Sequence, residues 1–598
     1  MTSQNNEIVT TKILVNDSPI DDNIQIKEVF VQSSLNRIAS AKLVIIDGDT
    51  AKSTFEISSG STFKPGNKIE VQAGFGTQTK TIFKGIITAQ SINATQLRGS
   101  ELVVECRNEA LKMTLGRKSG AFTKQSDSDV MSTLASRNSV TASVKSTTPE
   151  LEQLVQYCCT DWDFLLTRAE VNSMVVVTDD NKLTVTTPEI GSSVLTLTYG
   201  QDIVSIDSTL SATHQLESVT AQCWDYTTQQ MVSANASAPS EPDQGNISGD
   251  TLSEILSPKK VNLVTTSNLE NQSLTNWANG KFLKSRLSKI RGTVKSFGTA
   301  SIKPNTVITL KGLGDRFNGD AYVSAVEHTI EGGNWWTSIS TGLNPRSFTE
   351  EFEPSYQPAA GLLPGIRGLQ NATVKAITQD PDDQIRIQVT VQSMTADSQS
   401  GELWARWAQP YASNGAGFFF MPEIGDEVVV AFLNEDPRFP VILGSLYSSQ
   451  NSPPTQPAED NPIKTIVTKE KLTIEMDDKN KVITLKTPGN NQCILSDQDQ
   501  SITIEDQNNN KITMSSSGIE IKSASDITLN ATGELKTQAA SLSASYEGEA
   551  QITADGSMSL TGLDVTLTGN ASFNVSAPEA QVSADAILTL EGGMININ

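Results

Sequence analysis

Few side chains in this sequence are equipped to make or break bonds, and their spacing keeps them apart. The two histidines are His214 and His328, and the five cysteines are Cys106, Cys158, Cys159, Cys223 and Cys493. A histidine-based metal site or base-activated nucleophile needs imidazoles near other ligands or nucleophiles, and two isolated imidazoles argue against both. Sparse cysteines in an odd number read as reduced, packed residues of a cytoplasmically made protein. Cys158 and Cys159 are chain neighbours, a poor geometry for a bond with each other. Carboxylates remain. Asp161, Asp163 and Glu170 would form a carboxylate site if they converged; the competing and preferred reading makes them a helix cap and a solvated face. Trp335-Trp336 offers a ligand platform, against which stands the preferred reading as barrel core or subunit contact. No catalytic, cofactor-binding or metal residue is assigned, and the expectation is a protein that is not an enzyme.

Composition narrows the class. A chain of 598 residues holds three to five domains, and 19% charged residues suit a globular protein. A net charge of -23 argues against nucleic acid or an anionic membrane surface as the main partner. Residues 1–12 show no basic start leading into an apolar run, so no signal peptide is expected, and no run of eighteen apolar residues reads as a membrane span.

The elements organise around the C-terminal end. From 464 to 598 apolar pairs two residues apart recur: Leu472/Ile474, Ile483/Leu485, Ile502/Ile504, Ile512/Met514, Ile519/Ile521, Ile527/Leu529, Met558/Leu560, Val565/Leu567, Phe573/Val575, Leu588/Leu590, Ile595/Ile597. Residues at i and i+2 share one face of a strand. From Ile512 the step settles at about seven or eight residues, with small and polar residues between, so each unit reads as a short strand plus a bend. One such ribbon offers too few inward side chains to close a core. Three chains wound together supply three faces to one axis and pair the open strand edges. The expectation is therefore an intertwined three-stranded β-helix, a prism on the order of 75 Å long; a single-chain β-helix is the alternative.

Residues 8 to 110 read as an antiparallel barrel: 12–15, 24–32, 41–46, 68–73, 81–88 and 102–107, with Asp47-Gly48 and Pro65-Gly66 as turns. Within it, Pro65-x3-Ile69-x-Val71 leads to Gly74, Gly76 and then Phe83-x-Gly85. The pattern returns as Pro304-x3-Ile308-x-Leu310, with Gly312, Gly314 and Phe317-x-Gly319. The six glycines are read as turns of a repeated barrel. Two related barrels in each of three chains would give six similar units, which is what a threefold part needs to sit on a sixfold tube.

Between the barrels, 126–172 is predicted helical: Ser126 to Asp129 cap Val130, Met131 and Leu134; Leu151, Leu154 and Val155 follow at helical spacing; Asp161 caps a helix ending near Glu170. Val219–Tyr226 is a strand, 233–262 an exposed loop, and 273–289 a helix. After a Pro/Gly-rich connector, Gly368 to Tyr447 carries strands at 372–379, 384–392, 403–409, 417–420, 427–433 and 441–444. These suit an oligonucleotide/oligosaccharide-binding (OB) type barrel, a fold name that does not imply its ligand.

Two blocks carry a resemblance that spans nearly the whole chain. Thr160-Asp161-Trp162-Asp163-Phe164-Leu165-Leu166, and Pro422-Glu423-Ile424-Gly425-Asp426-Glu427-Val428 with the run from Asn434 to Tyr447, resemble the valine-glycine repeat protein G (VgrG) family, hub-and-spike proteins of contractile injection machines. Asp315 to Ser324, with His328 and Trp335, is similar to the extracellular, phage-tail-like subgroup. The resemblance implies a mainly β fold divided as hub barrel one (1–115), an α/β insertion (116–200), hub barrel two with a helix (201–350), a linker (351–367), the OB-type barrel (368–450), a linker (451–463) and the spike (464–598). It implies a trimeric spike that adapts to a sixfold inner tube and pierces a target envelope. The partners it implies are an inner-tube ring, baseplate proteins and a PAAR-type tip protein docked on Ile595, Ile597 and Asn598. No nucleic acid is expected, and the target membrane is met only on firing. Two rivals stay open: a spike with a lytic domain and a receptor-binding tail fibre.

Overall fold

Alternation of apolar and polar residues sets the strands of the computed structural model, which describes residues 8–95, 99–256, 260–395 and 400–597. The chain divides into two units, Met1–Asn451 and Ser452–Asn598.

In the first unit the six expected strands of the N-terminal half are present: Val9–Val15, Ile26–Ser34, Ser40–Ile46, Lys68–Phe75, Gln78–Thr95 and Gly99–Arg107. Val29, Val31, Leu43, Ile45, Ile69, Val71, Leu102 and Val104 face one core. The second half contributes Ile203–Leu210, Ile290–Phe297, Val307–Lys311, Gly319–Glu331 and Asn334–Thr341, around Val294, Ile308, Leu310, Val323 and Ile339. The halves are hydrogen-bonded into one thirteen-stranded sheet. Its seam is the antiparallel pairing of Gly319–Glu331 with Ile26–Ser34, in which Ile330 stands opposite Val29. Such a join between segments some 300 residues apart leaves no local trace in sequence.

The repeat holds at the apolar positions and departs at the turn. Ile69 and Val71 enter one core as Ile308 and Leu310 enter the other. Phe83 lies in a strand and is buried, whereas Phe317 falls in the shorter turn and is half-buried. Gly74 is a strand residue paired with Thr79, one position before the strand's end, Gly76 sits at the hairpin tip, and Gly312 and Gly314 occupy the second turn. Gly85 and Gly319 are strand residues rather than turns. Gly85 stands opposite Ile69, and a Cβ there would lie 2.3 Å from the Arg107 carbonyl oxygen. At Gly319 it would lie 2.1 Å from the Asp243 carbonyl oxygen. Both glycines answer to a neighbouring backbone, which spacing does not reveal.

The insertion keeps two of its three expected helices. Ser126 caps Asp127–Ser136 in a capping box with Asp129. Thr160, not Asp161, caps Asp161–Val171, its hydroxyl accepting from the Asp163 amide at 3.0 Å. The helical reading of 152–158 is overturned: Glu150–Cys159 is a strand, antiparallel to Lys118–Ser126. Period two wins because Leu154 and Gln156 turn inward while Val155 and Tyr157 turn out, and the ladder to the neighbouring strand satisfies the backbone. The expected loop at 233–262 is also partly ordered. It holds the end of strand Gln230–Asn235, the short helix Gly249–Ser253 and the start of strand Lys260–Thr265. Two strands flank Ser218–Asp225, and Val219, Ala221, Cys223 and Ala234 pack on Leu274, Ala278 and Phe282 of helix Asn271–Leu287.

The small barrel is closed, in the order Gln370–Ala376, Ile387–Val391, Glu402–Trp407, Pro440–Ser445, Glu427–Phe432 and back to the first. The strand expected at 417–420 shrinks to Ala416–Gly417, paired with Ala412–Ser413, and Phe418–Phe420 lie exposed beyond it.

The second unit opens with an antiparallel meander of seven five-residue strands, from Ile463–Val467 to Gly518–Lys522. From 523 to 597 bends recur every seven or eight residues and no strand is assigned.

Replacing Gly85 with valine should lower the thermal midpoint of the first unit, overpacking against Arg107 costing about 1–3 kcal/mol. Gly120→Ala, where an added Cβ meets nothing within 4 Å, should leave it unchanged. Equal midpoints in calorimetry for G85V and wild type would remove the close-approach account.

Candidate assembly surface

The meander's register places its apolar residues on one face. Ile466 stands opposite Ile474, Ile474 opposite Leu485, and Leu485 opposite Cys493. Cys493 then meets Ile504, Ile504 meets Ile512, and Ile512 meets Ile521. A second row runs beside it: Met476, Ile483, Leu495, Ile502, Met514 and Ile519. The opposite face carries Glu475, Thr484, Ile494, Thr503, Thr513 and Glu520 along the matching row. The expected member Leu472 lies just outside its strand, and Ile474 with Met476 form that rung. In the chain alone this face stays open to water: Met476 is 38% exposed and Ile519 71%. Thirteen apolar side chains left about half wet forgo on the order of 10–20 kcal/mol of burial. The pattern continues past the meander, where Ile527, Leu529, Met558, Leu560, Phe573 and Val575 are all exposed. Ile595 and Ile597 are exposed at the end, and Asn598 lies outside the described residues.

The candidate carboxylates, both histidines and four of the five cysteines lie instead in the first unit. The Asp161 side chain is 0% exposed and accepts from Arg137 Nε at 2.8 Å, Lys118 Nζ at 2.7 Å, Asn138 Nδ2 at 2.6 Å and Gln156 Nε2 at 2.9 Å, with Arg137 Nη2 closing a fork. Burial alone would raise its pKa. The hydrogen bonds from Arg137, Lys118, Gln156 and Asn138 outweigh it and hold the carboxyl well below the usual carboxylate range. The network ties helix Asp161–Val171 to the end of helix Asp127–Ser136 and to strands Lys118–Ser126 and Glu150–Cys159. Neither Asp163 nor Glu170 shares it. Asp163 stays in the first helical turn, and Glu170 bonds Lys284 and the Phe348 amide. Nothing in the spacing of Lys118, Arg137 and Gln156 marks them as partners; the strand 150–159, read as helix, would have hidden the last of them in any case.

Cys106 is buried, its thiol pushed up to about 12 by burial. Burial lowers His328 to about 4, leaving a neutral ring 3.2 Å from the Thr337 hydroxyl. Trp335 packs in the core against Phe75, with ring centroids 5.5 Å apart, while Lys295 covers Trp336 at 5.0 Å. Among the described residues no group of three or more His, Cys, Asp or Glu is arranged to hold a metal, and no helix is long and apolar enough to cross a membrane.

Asp161→Asn should destabilise the first unit by the lower end of about 3–5 kcal/mol, because Arg137 and Lys118 lose their buried anion but keep part of their water. The native carboxyl titrates below its unfolded value of about 3.9, so its stabilisation is complete above that value and lost as pH falls through it toward the folded one. The variant should therefore show a flatter acid limb between about pH 5 and 2. Urea midpoints followed by near-UV circular dichroism from pH 7 to 3 check both; an unchanged midpoint and slope would dismiss the network as surface decoration.

Comparison with known proteins meets this geometry. Residues 5–332 match the Alg8 N-terminal domain, 370–447 the type VI secretion system/phage-baseplate injector OB domain, and 481–598 the phage baseplate V C-terminal trimerisation domain. The actin cross-linking toxin VgrG1 of Vibrio cholerae is 29% identical over 152 residues, 24% of this chain and 14% of that protein. The type VI secretion system spike protein VgrG3 of the same species is 27% identical over 128 residues, 21% of this chain and 12% of its own length. The matched stretches thus span less than a fifth of these relatives. Among solved structures, the 43 kDa tail protein of prophage MuSo2 from Shewanella oneidensis aligns with a TM-score of 0.42 and 11% identity, over 56% of this chain and 98% of that one.

Proposed function

The chain belongs to the VgrG family of spike proteins, with an Alg8-type N-terminal domain ahead of an injector OB domain and a baseplate trimerisation domain, and from that premise we propose that it is the homotrimeric central spike of a contractile injection machine. The observation that carries the reading is the one-sided apolar ladder of the second unit. A face this long and regular is stable in water only when covered, and two further copies offer surfaces of matching pitch and chemistry. Up to Lys522 the ladder hydrogen bonds are made within the chain. Beyond it the i, i+2 apolar pairs persist without an intrachain ladder, which supports strands of the other two chains as their partners.

The work so assigned is mechanical: a threefold spike seated on a sixfold inner tube, driven through a target envelope by a contracting sheath. The repeated half-sheets of the first unit support a pseudo-sixfold collar of six related units in the trimer. The tube ring and baseplate proteins are its partners at that end. A PAAR-type tip protein is the partner at Ile595 and Ile597, whose exposed side chains suit an apolar footing. The particle is assembled in the bacterial cytoplasm, and its subgroup resemblance favours one that is released. No bond-breaking step is assigned: Asp161, Cys106 and His328 are buried, and Glu170 is engaged by Lys284.

Light scattering after size exclusion should give three times the 64.2 kDa chain mass. Ile504→Asp, which buries an unpaired charge in the covered face, should shift it toward one chain. A full-length monomer with normal strand content would overturn the reading and favour a self-closed solenoid of the fibre type. Separately, Ile595→Asp with Ile597→Asp should keep the trimer mass but abolish co-purification of a co-expressed PAAR-type protein; undiminished recovery would refute end docking.

A further inference from the structure

The connector that precedes the OB-type barrel is folded, not slack. Pro358–Gly361 forms a turn in which Ala359 (φ 51°), Ala360 (φ 57°) and Gly361 (φ 72°) all take the left-handed conformation. Glycine adopts it freely, whereas an alanine Cβ crowds the following carbonyl. Left-handed pairs also occur at Asn16-Asp17 and Asp180-Asn181, where short polar side chains tolerate the conformation. Ala359-Ala360 has no such side chain at either position, and Ala359 is fully buried.

Strain of this kind persists only where the surroundings over-determine the backbone, and the connector is pinned at both ends. Upstream, Arg117 Nη1 donates to the carbonyl oxygens of Pro354 at 2.8 Å and Ser355 at 3.2 Å, and its guanidinium lies 5.7 Å from the Tyr356 ring centroid. The same nitrogen reaches the Cys158 carbonyl at 2.8 Å, so Arg117 joins the connector to the α/β insertion. Cys158 is shaped for this contact. It lies at a register shift of its strand with φ 44°, and its amide donates to the Ser119 hydroxyl at 3.0 Å; such a bulge re-aims the backbone. Downstream, the Ile366 amide donates to the Glu435 carbonyl of the barrel at 2.8 Å, and Arg367 pairs with both Glu353 and Glu435. Glu435 closes Leu433–Glu435, a second left-handed turn (Asn434 φ 54°, Glu435 φ 58°) that packs against the first.

We propose that the connector is a latched, strained joint between the insertion and the OB-type barrel, with Arg117 as its latch. While Arg117 holds Pro354 and Ser355, the chain from there to Ile366 stays in its left-handed turn. Without that hold, Ala359 and Ala360 relax toward ordinary backbone, and the bond from Ile366 to the barrel opens. The latch is an exposed side chain bonded to neutral carbonyls, so it releases without disturbing any core, each bond being weak in water. Latch, turn and both pins lie in the first unit of a single chain, so the joint works in one chain whatever the oligomeric state.

The test is amide hydrogen exchange on the full chain, followed by mass spectrometry of peptides covering 352–367, where the amides of Ala360, Leu362 and Ile366 are hydrogen-bonded. The barrel strands 387–391 and 427–432 serve as internal controls. R117Q should speed exchange in 352–367 about tenfold and leave the control strands unchanged. Ala360→Gly removes one strained Cβ, so R117Q/A360G should exchange about threefold more slowly than R117Q in the same peptides. Ala360→Val adds strain, because a β-branched side chain fits this conformation worse than alanine does. A360V should therefore speed exchange by about threefold or more with Arg117 intact. Should A360V fail to fold, the comparison of R117Q with R117Q/A360G decides alone. Unchanged exchange in R117Q would overturn the latch. Equal or faster exchange in R117Q/A360G than in R117Q would overturn the strain, since glycine would then only have added flexibility. Faster exchange in the control strands of R117Q to the same degree would mean general destabilisation and overturn the joint.

Discussion

Burial of one continuous apolar face is the constraint from which the second unit's form follows. Seven strands of equal length keep a strict period of two, and every turn between them preserves the register, so that successive isoleucines, leucines and methionines stand directly across from each other. A slip of one residue at any turn would send a whole strand's apolar set to the Thr and Glu face. The turns are correspondingly specified by local chemistry: Asp477 accepts from the amides of Lys479 and Asn480, and Asp506 from those of Asn508 and Asn510. These polar turns and the apolar face serve one geometry, since the face is useful only if the turns return the chain in register.

The first unit meets a different demand. Two half-sheets, each with its own core, pair along a seam, and an α/β insertion is fastened by a buried carboxylate that collects donors from three elements. An apolar contact at the Asp161 position would tolerate small shifts of those elements. A carboxylate with five donors does not, because leaving any donor dry costs more than the bond is worth. The arrangement thus favours fixed geometry over maximum stability, which suits a part whose role is to hold other parts in register.

Much of this was legible in the sequence where the signal is local. The i, i+2 pairs gave the rungs, the Pro-x3-Ile-x-Val pattern marked equivalent strands in both halves, and Ser126 with Asp129 announced a capped helix. What failed was information carried by partners. Leu151, Leu154 and Val155 have helical spacing, but the adjacent Lys118–Ser126 strand imposed period two. Gly85 and Gly319 read as turn residues because glycine usually is one; their reason is a carbonyl from another strand, visible only in three dimensions. The donors to Asp161 come from three segments, and no spacing rule joins Lys118, Arg137 and Gln156.

Load direction explains why a ladder of weak bonds suffices in the role proposed. Hydrogen bonds between stacked strands lie along the stacking direction, roughly perpendicular to each strand. Tension along the stack would peel them one at a time, each worth only about 0.5–1.5 kcal/mol net. A spike is pushed, not pulled, and compression shortens those same bonds until van der Waals contact takes the load. The failure to be resisted is then buckling, a sideways bend that opens one side of the stack. A sheet alone bends easily across its thin direction. Three sheets meeting on their apolar faces cannot, because bending any one separates packed side chains and readmits water along the axis at about 25 cal/mol per Å² exposed. In the proposed trimer the exposed isoleucine and leucine rows would do more than drive association: once covered, they would supply the bending stiffness that backbone hydrogen bonds lack.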